Sequence, residues 1–201
     1  MDIPKVADPI NAVERKPIKI GDRYFVEILS YGLVNPSGHS LMATKEHFKG
    51  RKDLKVLEIG VCRGNNAEKI YLELEPELLV LVDPWKLDQT CLYHHDNNWA
   101  ETYYRVQGKP EIIIIKALSK MASEMLNLTF DFIYIDGAHW DITTDLYAWW
   151  PKMNKGGVFA GHDYNYDNIM EAVDKFFEER SIELHSSPYH PDGGRDWWVF
   201  T

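Results

Sequence analysis

From Lys55 onward, short unbroken apolar runs alternate with stretches in which apolar residues return every three or four positions. The runs at 55–61, 78–83, 111–117, 131–136 and 157–161 are rich in Val, Ile, Leu and Phe, the pattern of strands covered on both faces. Between them, 65–75, 97–107, 119–126, 141–153 and 166–180 carry the helical period. Repeated strand–helix units of this length predict an α/β, doubly wound, mostly parallel sheet with helices on both faces. Two last strands, near 182–187 and 196–200, flank a loop with Pro191-Asp192-Gly193-Gly194 turn chemistry. They predict an antiparallel hairpin at the sheet edge and bring the strand count to seven. Ahead of this, residues 1–20 show no clear period. Tyr24, Phe25, Ile28, Leu29 and Leu33 recur at helical spacing, and a second short helix is expected over 40–48. Residues 1–50 therefore read as an N-terminal helical cap and 51–201 as the main domain.

The length of 201 residues suits one domain with a sizeable core. A net charge of -9, with acids spread along the chain, repels phosphate backbones and disfavours a nucleic-acid partner. Of the two cysteines, Cys62 and Cys91, neither has a partner at metal-ligand spacing, so both are expected as free thiols in a reducing compartment. No apolar run approaches the length of a membrane span. A soluble, cytoplasmic protein is expected, and a domain cut from a larger glycan-modifying protein would look the same. Nothing in the sequence fixes an oligomeric state.

The most informative segment is Lys55-Val-Leu-Glu-Ile-Gly-Val-Cys-Arg-Gly-Asn65, a core strand meeting a glycine-spaced turn that opens a helix. Gly60 and Gly64 let the backbone bend sharply and approach a ligand without a Cβ in the way. The spacing Glu58-x-Gly60-x-x-x-Gly64 differs from the fingerprint that wraps a pyrophosphate. With its acid and two glycines, it resembles the first motif of class I S-adenosylmethionine-dependent methyltransferases, which have a Rossmann-like sheet ending in an antiparallel hairpin. That resemblance implies that Glu58, Gly60 and Gly64 bind S-adenosyl-L-methionine. Asp83, ending the second strand, can accept both hydrogen bonds of a ribose diol, and the resemblance gives it the adenosine ribose. It reads equally as a turn-initiating residue before Pro84. Ser119 falls where this fold meets the adenine edge, but is as good an N-cap for its helix.

Two further strands end in chemistry. Phe130-Asp-Phe-Ile-Tyr-Ile-Asp136 is followed by His139, and Gly156-Gly-Val-Phe-Ala-Gly161 leads into His162-Asp163. Adjacent parallel strands lie about 5 Å apart, so Asp136 and Asp163 can converge on one divalent ion. With Asp145-Leu146, Trp150-Pro151 and Gly156-Gly157 between them, this segment resembles the branch holding macrocin and mycinamicin sugar O-methyltransferases and cephalosporin-hydroxylase-like proteins. The resemblance implies that Asp136 and Asp163 hold Mg²⁺ or Mn²⁺, that His139 is the general base, and that Asp136 also lies against the cofactor. The residue before the second acid is commonly another carboxylate in that branch. Here it is His162, which becomes the third candidate ligand.

The expected activity is therefore divalent-metal-assisted O-methylation of a small hydroxylated acceptor, such as a sugar or deoxysugar hydroxyl of a glycan or glycosylated metabolite. A hydroxyl is a poor nucleophile until its proton is removed, which asks for a base and a Lewis acid. A catechol-type phenol acceptor is an alternative. So are a non-haem iron oxygenase built on Asp136, His139 and His162, and a cofactor-binding module without catalysis. The aromatic residues of 85–104 read as an acceptor wall or as packing.

Overall fold

The computed structural model describes residues 17–20, 23–26, 38–85, 96–137, 141–189 and 194–201. The chain divides into two compact units, Met1–Asn35 and Pro36–Thr201. In the first, β1 (Pro17–Ile20) pairs antiparallel with β2 (Arg23–Val26), with Pro17 opposite Val26 and Ile20 opposite Arg23. This corrects the helix expected from Tyr24 onward, because Tyr24 and Phe25 lie in a strand. Ile28, Leu29 and Leu33 lie outside the described residues.

The second unit begins with α1 (His39–His47), close to the helix expected over 40–48. Helix α1 clusters with the sheet in the unit Pro36–Thr201. There follow β3 (Lys55–Ile59), α2 (Asn65–Leu74), β4 (Leu78–Asp83), α3 (Asp96–Val106), β5 (Ile112–Lys116), α4 (Ser119–Met125) and β6 (Phe130–Ile135). Then come α5 (Ile142–Trp149), a 3₁₀ turn (Trp150–Lys152), β7 (Met153–Gly161), α6 (Asp167–Glu178), β8 (His185–Ser186) and β9 (Trp197–Phe200). The helix expected over 141–153 stops at Trp149 because Pro151 lacks the N–H that an α-helix would need there.

The sheet is seven-stranded in the order β5-β4-β3-β6-β7-β9-β8. Strands β3 to β7 are parallel, and β9 runs antiparallel to both β7 and β8. The last strand thus inserts beside β7 and leaves the two-residue β8 at the edge. Strand β7 starts four residues earlier than its apolar run. Its register against β6 slips between Phe130 and Phe132, and Gly157 sits in this irregularity. A Cβ on Gly157 would lie 2.8 Å from the Asp131 carbonyl oxygen, so the crowded backbone there calls for glycine.

Alternating strand residues feed two cores. Leu57, Ile59, Val82, Ile133 and Phe159 pack with Leu146, Trp149, Phe176 and Phe177 of α5 and α6. Val56, Leu79, Leu81, Phe132 and Val158 pack with Leu41 of α1 and with Ala67 and Ile70 of α2. Truncating fully buried side chains such as Trp149 or Phe177 to Ala would cost about 3–5 kcal/mol. The winding direction reverses between β3 and β6, which brings the carboxyl ends of these two strands side by side, the place where open α/β sheets bind ligands.

Candidate active site

At that reversal the turn after β3 is held tightly. Gly60 (φ +86°) donates its N–H to Val82 O at 2.9 Å, and Gly64 (φ +76°) caps α2. A Cβ on Gly60 would stand 1.9 Å from the Asp136 carbonyl oxygen, so only glycine lets β3 leave past β6. Cys62 also has a left-handed φ of 52°. Its N–H donates to Asp83 Oδ2 at 2.9 Å, and its carbonyl accepts from Trp85 Nε1 (2.8 Å) and Thr102 Oγ1 (3.0 Å). These bonds over-determine the strained conformation. Asp83 Oδ1 accepts from the Trp85 N–H at 2.7 Å. The turn-initiating reading of Asp83 is therefore realised, and the same carboxylate sits beside the glycine turn where a ribose reading also needs it.

Glu58, next to the end of β3, is 1% exposed. Its Oε1 accepts from Asn66 Nδ2 at 3.0 Å, and its Oε2 makes no hydrogen bond among the described residues. Burial pushes its carboxyl well above the ordinary range. The Asn66 hydrogen bond pulls the other way, and the nearby charges of Asp136 and Asp83 add to the rise.

Asp136 and the His162–Asp163 pair leave adjacent strands, since Ile135 is opposite Gly161. The His162 N–H donates to Ile135 O at 3.0 Å, which fixes the start of the second loop against the first. His162 Nδ1 lies 3.0 Å from Asp163 Oδ1 and 3.9 Å from Asp136 Oδ1. Burial of the ring opposes its charge. The hydrogen bond to Asp163 and the charges of Asp136, Asp163 and Asp196 outweigh that and push the imidazole up to about 9. One ligand atom from each of Asp136, His162 and Asp163 falls within 4.8 Å of the others. Gly137, Ile142 and Ile169 complete a small pocket around them. The structure thus brings together the three residues that the sequence offered as metal ligands. His139, offered as the base, lies outside the described residues.

Ser119 lies at the carboxyl end of β5, as expected, but as the first residue of α4 rather than its cap. Its hydroxyl donates to Asp145 Oδ1 and accepts from Trp149 Nε1 at 2.8 Å, tying α4 to α5. Asp145 was not singled out in its own right. It is 2% exposed and shares the core-facing stripe of α5 with Ile142 and Trp149, so a polar residue at an apolar position was the available signal. Thr102 and Asn98, one turn apart on α3, brace Cys62 and were also missed. The aromatic segment divides. Trp85 is 3% exposed and packs edge-on against Trp99 at 4.9 Å, whereas Tyr103 and Tyr104 are exposed. Tyr93, His94 and His95 lie outside the described residues.

A family model described as a methyltransferase domain matches residues 57–164, more than half of the chain, and spans both the glycine turn and the Asp136–Asp163 rim. The chain belongs to this methyltransferase family. No curated protein is significantly similar to this methyltransferase in sequence. Among solved structures, it is similar to an O-methyltransferase from Bacillus cereus in complex with SAH, at 12% identity and a TM-score of 0.61, covering 81% of this chain and 79% of the other. It is also similar to the O-methyltransferase TomG from Streptomyces achromogenes, involved in tomaymycin synthesis and solved with SAM. There the identity is 16%, the TM-score 0.61, and the coverage 81% and 77%. An rRNA methylase from Streptococcus thermophilus is 11% identical with a TM-score of 0.60, covering 81% and 96%. Together they establish the class I methyltransferase fold. Among the described residues, no helix of this methyltransferase is long and apolar enough to cross a membrane.

The residues present suit the cofactor this family implies. A buried Glu58 oxygen without a hydrogen bond, a glycine turn and Asp83 converge where a cationic, ribose-bearing cofactor would lie. Two carboxylates and an imidazole within reach of one point suit a divalent ion.

Proposed function

We propose that this methyltransferase transfers the methyl group of S-adenosyl-L-methionine to a hydroxyl of a small acceptor, namely a sugar or deoxysugar of a glycan or glycosylated metabolite, with the help of Mg²⁺ or Mn²⁺. The observation that carries the reading is the convergence of Asp136, His162 and Asp163 beside the glycine turn. A divalent ion there would supply Lewis acidity that lowers the pKa of a nearby hydroxyl. Asp83 orients the cofactor ribose, Gly60 and Gly64 shape the turn that receives it, and Asp136 lies at the rim beside that turn. His139 takes the hydroxyl proton, a role suited to imidazole near neutral pH. Fixing acceptor oxygen and methyl donor in line supplies much of the rate. The net charge of -9 supports a small acceptor over a nucleic acid.

The test is transfer of labelled methyl from S-adenosylmethionine to a panel of glycosides and catechols, with and without a chelator. Labelling of glycosides that is lost with the chelator supports the reading. Labelling of catechols alone moves the acceptor to a phenol. Calorimetry without a signal for S-adenosylmethionine or S-adenosylhomocysteine at millimolar ligand removes the proposal.

A further inference from the structure

Asp163 keeps a left-handed φ of 62°, a conformation that residues other than glycine hold only where their surroundings impose it. Both peptide planes flanking this residue are gripped from the start of β9. In the plane before it, the His162 carbonyl accepts from the Trp197 indole N–H at 3.2 Å. In the plane after it, the Tyr164 N–H donates to Arg195 O at 3.1 Å, and the Asp163 carbonyl accepts from the Tyr166 N–H at 3.0 Å. The Arg195 guanidinium also stands 5.1 Å from the centre of the Tyr164 ring. Trp197 is fully buried and lies opposite Gly161 in the β7–β9 register. A Cβ on Gly161 would stand 2.5 Å from Trp197 Cζ2, so glycine there lets the indole lie against the β7 backbone. A buried indole N–H needs an acceptor. Here that acceptor is the peptide carrying the second acid of the rim.

We propose that Trp197 is a positioning residue for the metal centre: its indole N–H fixes the His162–Asp163 peptide and so aims both side chains at the point they share with Asp136. This rests on the divalent-ion reading above. The direction of a side chain follows the φ of its residue. A peptide free to turn would let Asp163 relax to a negative φ and carry its carboxylate away from Asp136. The glycine turn after β3 is separated from β9 by β6 and β7, so the indole acts on the ion and not on the cofactor turn. Asp136 is held independently, by its own N–H to Ile59 O at 2.8 Å. Groups that orient metal ligands from behind change metal affinity by about 10–100-fold when removed.

The test is the Mn²⁺ affinity of the purified full chain, read from the electron paramagnetic resonance of the free ion, beside its calorimetric affinity for S-adenosylhomocysteine. Wild type, Trp197→Phe and Val199→Ala are compared. Val199 is fully buried on the same strand but pairs with Phe159, so its truncation weakens β9 without touching the His162 carbonyl. Trp197→Phe is expected to lose about tenfold or more in Mn²⁺ affinity, and Val199→Ala less than about twofold. Both should keep S-adenosylhomocysteine affinity within about twofold of the wild type. Should Trp197→Phe not fold, benzothienylalanine at position 197, which keeps the ring shape and lacks the N–H, carries the same expectation. Unchanged Mn²⁺ affinity in the folded position-197 variant overturns the inference alone. So does an equal loss in Val199→Ala, or a matching fall in S-adenosylhomocysteine affinity. A wild type that binds no Mn²⁺ overturns it together with the divalent-ion reading.

Discussion

Gly60 passes so close to Asp136 that a Cβ on the former would overlap the latter's carbonyl oxygen at 1.9 Å, which makes the two chain exits one rigid unit. Gly60→Ala is therefore expected to destabilise the fold by well over the about 1–2 kcal/mol that a left-handed φ costs by itself. Gly108→Ala, at a φ of +76° with nothing within 4 Å, should cost only that conformational penalty. Urea midpoints of the two variants check the contrast. Similar losses in both would mean that the contact at position 60 relaxes freely.

Asp83 joins the end of β4 to the glycine turn through the Cys62 N–H and to its own loop through the Trp85 N–H. Asp83→Ala removes the acceptors of the buried Trp85 N–H and of the part-buried Cys62 N–H, at an expected cost of about 1–3 kcal/mol. S-adenosylhomocysteine affinity should fall by at least about tenfold, since the ribose reading assigns it two charge-assisted hydrogen bonds. Calorimetry at a temperature where the variant remains folded separates binding from stability.

Burial gives Glu58 a measurable signature in the ligand-free protein. Its folded-state carboxyl is raised, while the unfolded chain releases the proton near pH ~4.3. The stabilising contribution is fully present below that pH and is lost as pH rises toward the folded value, because the folded state then binds the extra proton. Between about pH 5 and pH 8 the wild type should lose stability relative to Glu58→Gln. Denaturant titrations at both pH values check the sign, and an equal or opposite pH response in the two proteins would refute it.

His162 occupies a place where a carboxylate is common in the branch that the sequence resembles. Replacing a ring held cationic by Asp163 and Asp136 with a carboxylate should favour a hard ion. His162→Asp is expected to bind Mn²⁺ about tenfold or more tightly than the wild type. Unchanged affinity would place position 162 outside the ligand set.

If His139 takes the acceptor proton, His139→Ala should lower methyl transfer by about 10²–10⁴-fold and leave cofactor affinity unchanged. Single-turnover rates against calorimetric affinities give the comparison, and full activity in the variant would withdraw the assignment.

The parallel part of this fold was legible because its strands are covered on both faces. That requires unbroken apolar runs such as the one in β4, where Leu79, Val80, Leu81 and Val82 are all buried. The rim was legible for a related reason: Asp136 and Asp163 are the first acids after consecutive strands, and consecutive parallel strands end on the same side. At Tyr24 and Phe25 the helical spacing misled, since a few apolar residues fit a helix and a strand equally until a partner is known. In β1 and β2 that partner is the neighbouring segment.

What the chain carries locally, then, is its alternation of buried strands and amphipathic helices, its two glycines and its strand-ending acids, because each follows from the chemistry of a few neighbouring residues. The tertiary structure alone decided that β9 enters between β7 and β8, that Ser119 is engaged by Asp145 and Trp149, and that Trp85 clamps Cys62 instead of facing outward. These depend on hydrogen-bond partners and strand registers set across tens of residues. A side chain's own identity says that it needs a partner, and only the packed fold says which one it has.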